Sequence, residues 1–129
     1  MNSENIIQNI RKSGALLDGH FLLTSGRHSD KYFEKFLLLS QPKIAEELCA
    51  SIARFFMDEN VDIVVGAATG GIVLAYELGK KLDTSGIFSE RVDGIMTFKR
   101  GFSLSKGQRV LLVDDVVTTG GSVFELIKL

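Results

Sequence analysis

The stretch RVLLVDDVVTTGGS, residues 109–122, decides the fold class. Its apolar run, residues 110–113, has the length and composition of a buried strand, and two adjacent carboxylates, Asp114 and Asp115, follow it directly. A small-residue loop with the paired glycines Gly120 and Gly121 comes next, and Ser122 begins a final helix. Because ligands bind at the carboxyl ends of the strands in open α/β sheets, this pattern predicts a ligand site at the end of this strand.

The rest of the chain alternates between helical and strand-like patterns. Residues 61–66 form an apolar, β-branched run without alternation, which predicts a parallel strand covered on both faces. We predict helices over 4–13, from the cap Ser40 to Phe56, and over 72–82, and strands within 20–38 and 85–102. In the helix over 72–82 the inward residues are predicted to be Ile72, Ala75, Tyr76, Gly79 and Leu82. Turns are predicted at Ser25, Gly26, Ser29 and Asp30, and at Asp93-Gly94. The order of elements predicts an α/β fold with right-handed crossovers.

Composition narrows the function classes. The chain has 129 residues, which predicts one domain, and its net charge of −1 argues against a nucleic-acid or membrane-surface partner. No apolar run reaches the roughly 18 residues of a membrane span. A single cysteine, Cys49, indicates a reducing cytoplasm and a place in the core, and two histidines, His20 and His28, are too few for a zinc site.

The glycine loop after residue 113 has the composition of a phosphate cradle without a lysine. Backbone N–H groups of residues 118–122 at a helix start, with the hydroxyls of Thr118, Thr119 and Ser122, suit a terminal monophosphate. The GK[ST] ending of a P-loop is absent, which argues against nucleotide triphosphate hydrolysis.

Asp114 and Asp115 have two interpretations. Carboxylates at a strand end are often only solvated, but beside a phosphate cradle they would repel the ligand unless they meet hydroxyl groups or a cation. A sugar phosphate with Mg²⁺ satisfies both demands. The run VLLVDD also matches the first strand of receiver domains, but here it begins only at residue 110, which argues against that class.

The residues VLLVDDVVTTGGS resemble the phosphoribosyl-pyrophosphate (PRPP) signature of type I phosphoribosyltransferases. GHFLLTSGRHSDKYFE (19–34) is similar to the base-capping segment of the orotate phosphoribosyltransferases, and VVGAATGGIVLAYELG (64–79) to their pyrophosphate loop and following helix. TFKRGFSLSKGQRVLLVDDVVTTGGSV resembles the loop-to-signature stretch of a bacterial branch of the family. The resemblance covers essentially the whole chain. It implies a mostly parallel sheet flanked by helices, with an N-terminal hood over 1–39 and an α/β core over 40–129.

The resemblance also implies the reaction: Mg²⁺-dependent transfer of phosphoribose from PRPP to orotate, giving orotidine 5′-monophosphate and pyrophosphate. It makes Asp114 and Asp115 catalytic residues that contact the ribose hydroxyls and bind magnesium, through water or those hydroxyls. By the same resemblance, the 5′-phosphate is bound by Val117, Thr118, Thr119, Gly120, Gly121 and Ser122. The pyrophosphate is bound by Ala68, Thr69, Gly70 and Gly71. The base is bound by Ser25, Gly26, Tyr32 and Phe33.

A mobile loop over residues 89–101, with the cations Arg91, Lys99 and Arg100, would close over the pyrophosphate, Lys99 and Arg100 acting as catalytic cations. In relatives this loop typically reaches the neighbouring subunit of a homodimer. Three departures stand out: Thr24 and Thr69-Gly70 replace lysines that many relatives carry, and the family continues past residue 129, so we expect a truncated enzyme. Two alternatives stay open: a purine phosphoribosyltransferase, and a non-catalytic PRPP-binding regulator on the same fold.

Overall fold

The computed structural model describes residues 3–117 and 120–129, which divide into two units, one up to residue 48 and one from residue 49 onward. This division falls nine residues beyond the expected end of the hood at residue 39. The assignment of a hood and a core by function stays a prediction.

The first unit is built from a helix and an antiparallel hairpin, followed by two helices. Its elements are α1 (Ser3–Ser13), β1 (Leu16–Leu22), β2 (His28–Phe33), α2 (Lys35–Leu39) and α3 (Pro42–Ala53), the last of which runs into the second unit. Ser29 and Asp30, predicted as turn residues, lie within β2. The short helix α2 was not predicted; it begins where Glu34 accepts a hydrogen bond from the Phe36 N–H group at 3.4 Å.

The second unit is an α/β sheet, as predicted. Its elements are β3 (Ile63–Ala67), α4 (Gly70–Leu82), β4 (Ser85–Val92), β5 (Ile95–Phe98), β6 (Val110–Val113) and α5 (Gly121–Lys128). The strand order is β5-β4-β3-β6; β3 runs parallel to both β4 and β6, while β5 is antiparallel to β4. The turn at Asp93-Gly94 is confirmed: both residues have positive φ, and the strands pair at Val92 and Ile95 on either side of it.

The central strand β3 is buried along its whole length, as its unbroken apolar run predicted. Ile63, Val65 and Ala67 pack on one face against a group that includes Leu126 of α5. Val64 packs on the opposite face with Cys49 and with residues of α4. Both faces of the sheet therefore have a hydrophobic layer, and the carboxyl ends of β3 and β6 meet at one edge.

Helix α4 lies unusually close to the sheet because glycines stand at its contact points. A Cβ atom on Gly66 of β3 would lie 2.6 Å from the carbonyl carbon of Gly71, and one on Gly86 of β4 would lie 2.8 Å from that of Ala75. Gly79, on the helix itself, has the Thr84 carbonyl oxygen 2.9 Å from its Cβ position. These contacts are to backbone atoms, which cannot rotate away.

Three further sequence predictions were wrong in detail. The helix expected to reach Phe56 ends at Ala53, and Phe55 is 80% exposed because residues 54–60 form turns that lead into β3. Tyr76 is 68% exposed, and Leu78 is fully buried instead. The glycine contacts turn the face of α4 that carries Ala75, Leu78 and Gly79 toward the sheet, and Tyr76 lies outside that face. Strand β6 is only partly buried because it lies at the edge of the described sheet.

We expect Gly86→Ala to lower the free energy of unfolding by about 3 kcal/mol, because the added methyl group must push the α4 backbone off the sheet. Urea unfolding measures the change. Ser85→Ala, at an exposed neighbouring position of β4, is the control and should leave stability within about 0.5 kcal/mol. Equal stability of both variants would contradict the close packing of α4.

Cys49 is fully buried, and this burial raises the pKa of its thiol to about 11, with the charge of Glu77 adding to the effect. Because the thiolate is the reactive form, we expect the native protein to react with a disulfide reagent near pH 8 only as fast as it unfolds. The same protein in denaturant should react at once. Rapid labelling of the native protein would contradict the burial of Cys49.

Candidate functional site

The site residues predicted in the first unit lie on the β1–β2 hairpin. Ser25 and Gly26 form its turn, in which the Gly26 N–H group donates to the Leu23 carbonyl at 2.9 Å and Gly26 has a φ of +84°. The Tyr32 ring lies 5.5 Å from that of Phe21, between centroids, and is 42% exposed. Neighbouring residues of a strand point to opposite faces, so the hairpin presents Tyr32 and Phe33 on different faces.

A cleft of about 260 Å³ lies beside β6 and the start of α5 in the second unit. It brings together six of the predicted site residues with three further ones; the full lining is Arg91, Asp114, Val116, Val117, Gly120, Gly121, Ser122, Val123 and Glu125. Thr118 and Thr119, also predicted to bind phosphate, lie outside the described residues.

The floor of this cleft is the amino-terminal end of α5. Gly120 precedes the helix with a φ of +83°, a conformation that glycine adopts without strain, and its carbonyl accepts a hydrogen bond from the Phe124 N–H group at 2.9 Å. Gly120 itself makes no side-chain cap to the helix, and the two residues before it lie outside the described part of the chain. A helix start of this kind suits an anion, because its backbone N–H groups and the positive end of the helix dipole attract negative charge.

Arg91 lines the cleft and forms a bidentate ion pair with Glu125, which also lines it. Its guanidinium nitrogens lie 2.6 Å and 2.8 Å from the two carboxylate oxygens, and one of them also donates to the Gly94 carbonyl at 3.1 Å. These hydrogen bonds raise the pKa of Arg91 and lower that of Glu125, so the pair is intact at neutral pH. Arg91 is the only cation among the described lining residues, and Glu125 neutralises it.

The two adjacent aspartates occupy different surroundings. Asp114 lines the cleft, and its Oδ1 accepts a hydrogen bond from the Asp115 N–H group at 2.9 Å. Asp115 instead packs against Gly70, at the start of α4, and its Oδ1 accepts from the Val116 N–H group at 2.9 Å. The predicted pyrophosphate loop, residues 68–71, therefore meets the acidic pair through Asp115.

The predicted mobile loop over 89–101 is largely a regular hairpin, because residues 89–98 pair within β4 and β5. Lys99 and Arg100 follow β5, and Arg100 donates to both carboxylate oxygens of Glu90 at 2.8 Å and 3.1 Å. Hydrogen bonding to Arg100 lowers the pKa of Glu90. The Arg100 guanidinium also lies 5.7 Å from the centroid of the Phe88 ring. Arg91 and Arg100 are thus both held by carboxylates of the same unit.

The described residues do not contain a group of three or more side chains that could hold a metal ion. The single carboxylate of Asp114 in the cleft fits a different mode of Mg²⁺ binding. In that mode most of the ligands of the ion are water molecules and oxygens of a bound phosphate compound.

Sequence reasoning missed Glu125 and Glu90. Each completes an ion pair with a predicted site cation, but Glu125 lies 34 positions from Arg91 and Glu90 lies 10 positions from Arg100. Only the packing of α5 beside β4 and the turn after β5 bring these partners together, so no local pattern marks them. Helix periodicity predicts at most that Glu125 is not on the buried face.

Comparison with known proteins gives the family. The phosphoribosyl transferase domain family matches residues 38–129. An orotate phosphoribosyltransferase of Caldicellulosiruptor saccharolyticus is 48% identical over the whole chain, which spans 68% of that relative's length. Another of the same name, from Pelotomaculum thermopropionicum, is 47% identical over 99% of the chain and 67% of its own length.

Solved structures agree with this assignment. The crystal structure of the Francisella tularensis orotate phosphoribosyltransferase matches 96% of the chain and 62% of its own, with a TM-score of 0.65 and 26% identity. The fold is also that of a Leishmania donovani UMP synthase, with a TM-score of 0.78 and 21% identity over 99% of this chain and 28% of that one. The chain therefore belongs to the phosphoribosyltransferases and, within them, to the orotate phosphoribosyltransferase family.

Proposed function

We propose that the protein transfers phosphoribose from PRPP to orotate, giving orotidine 5′-monophosphate and pyrophosphate in pyrimidine synthesis. The observation that carries the proposal is the cleft that Asp114 lines together with the amino-terminal end of α5. An anion-binding helix end beside a carboxylate suits a ligand that has both a phosphate and neighbouring hydroxyl groups.

The 5′-phosphate would be bound by the backbone N–H groups of Gly120, Gly121 and Ser122. Because Glu125 neutralises Arg91, these groups and the α5 dipole carry most of the attraction for the anion. Asp114 would accept hydrogen bonds from the ribose hydroxyls. Bound in this way, the sugar has a fixed position while positive charge develops at its anomeric carbon, so the site contributes mainly positioning and charge stabilisation.

The pyrophosphate would lie against residues 68–71, and the base against Ser25, Gly26, Tyr32 and Phe33 of the hairpin. An exposed aromatic ring such as Tyr32 offers a flat apolar face to a pyrimidine. Lys99 and Arg100 would stabilise the departing pyrophosphate. To do so, Arg100 must break its ion pair with Glu90 and contact the ligand instead. Magnesium would arrive with PRPP and offset the repulsion between the diphosphate and Asp114.

Two further parts of the proposal rest on the resemblance and the composition. The protein would act as a homodimer, which light scattering of the purified protein tests. Residues near Lys99 would reach the neighbouring subunit. A cytoplasmic location is proposed from the single, buried cysteine. Among the described residues, no helix has the length and apolar character to cross a membrane.

The decisive measurement follows the ultraviolet absorbance of orotate after the protein is added, with Mg²⁺ and PRPP each present or omitted. We expect a decrease that requires both. A folded protein that leaves orotate unchanged would overturn the proposal, and the same assay with purine bases would then test the purine alternative.

We expect Asp114→Asn to raise the Kd for Mg·PRPP by about tenfold or more, because a charge-assisted hydrogen bond to the ribose becomes a neutral one. The free energy of unfolding should be nearly unchanged. Isothermal titration calorimetry measures the affinity, and Asp58→Asn, an exposed carboxylate outside the cleft, is the matched control. Equal PRPP affinity in the Asp114 and Asp58 variants would remove Asp114 from the proposed site.

A further inference from the structure

Gly70 and Asp115 belong to different segments of the proposed site, and the structure packs one directly on the other. A Cβ atom on Gly70 would lie 2.5 Å from Cγ and 2.9 Å from Cβ of Asp115, and closer still to Oδ2. These separations are shorter than any ordinary contact between non-bonded carbon atoms. The Asp115 carboxylate therefore occupies the space that the side chain of any other residue at position 70 would need.

Several interactions hold the carboxylate in this place. Its Oδ1 accepts a hydrogen bond from the Val116 N–H group at 2.9 Å, and its Oδ2 is buried. Gly70 opens the thirteen-residue helix α4, which Thr69 does not cap with its side chain. A carboxylate beside this end of a helix is stabilised by the helix dipole.

We propose that Gly70 is a positioning residue that fixes Asp115 for PRPP binding. The inference rests on the proposed function. It assigns to the glycine a role besides its backbone contact with pyrophosphate: its missing side chain lets Asp115 rest on the pyrophosphate loop. The family resemblance assigns Asp115, together with Asp114, to the ribose hydroxyls. The acidic pair and the loop proposed to hold the pyrophosphate are then fixed to each other on either side of the bond that breaks.

Gly71, the next residue, provides a matched contrast. A Cβ atom there would meet Gly66 backbone atoms at 3.2 Å and the Val113 carbonyl oxygen at 3.4 Å, and none of its three nearest atoms belongs to Asp115. Both glycines are buried in the first turn of α4. Alanine at position 71 therefore tests the same turn without displacing the carboxylate.

The experiment is a double-mutant cycle on Gly70→Ala and Asp115→Ala, with the Kd for Mg·PRPP measured by calorimetry and the free energy of unfolding measured in urea. Gly70→Ala alone should raise the Kd by about tenfold or more, the effect of losing one hydrogen bond to a charged group. In the Asp115→Ala background the same change should alter the Kd by less than about twofold, because the displaced group is already gone. Gly71→Ala should have the same effect in both backgrounds.

Equal losses from Gly70→Ala with and without the Asp115 carboxylate would overturn the inference, since Gly70 would then act only through its own backbone. An unchanged Kd in Gly70→Ala would overturn it as well. If the unmutated protein binds no Mg·PRPP, the proposed function fails instead. The unfolding cycle still tests the contact in that case: Gly70→Ala should destabilise the unmutated protein and be neutral or stabilising in the Asp115→Ala variant.

Discussion

The close approach of α4 to the sheet is the constraint on which the second unit depends. Gly66, Gly79 and Gly86 remove the side chains that would separate the helix from β3 and β4, and Ala75 packs into the space. The start of α4 is thereby brought down to the carboxyl end of β3, next to the loop that follows β6. The packing of the core consequently determines the geometry of the site, because a helix that moved outward would separate Gly70 from Asp115.

The electrostatics of the cleft are equally specific. A phosphate site is commonly expected to offer free cations, but Arg91, the one cation among the described residues that line the proposed phosphate site, is paired with Glu125, and Asp114 adds a negative charge. Attraction for an anion must then come from backbone dipoles at α5 and from a metal ion that the ligand brings. We expect such a site to bind a highly charged ligand more weakly without its metal ion than with it, which suits an enzyme whose proposed substrate is a magnesium complex.

The sequence predicts much of this molecule where short-range patterns control structure. The apolar run of β3, the turn at Asp93-Gly94 and the order of strands and helices follow from local composition. The inward face of α4 does not, because glycine contacts rather than large side chains orient the helix, which left Tyr76 outside and Leu78 inside. The acidic pair was identified as a unit, but consecutive residues at a strand end point in different directions. The ion pairs of Arg91 and Arg100 depend on tertiary packing that no sequence window contains.

The ion pairs of the neighbouring residues Glu90 and Arg91 limit insertions and deletions in β4. Their side chains alternate across the strand, and each is paired with a partner of opposite charge, Arg100 for one and Glu125 for the other. Inserting or deleting one residue between Gly86 and Glu90 would exchange the two faces and set glutamate against glutamate and arginine against arginine. Charge pairing therefore opposes a change in the length of this strand, in addition to the hydrogen bonds with its neighbours. We expect substitutions to accumulate in β4 far more readily than insertions.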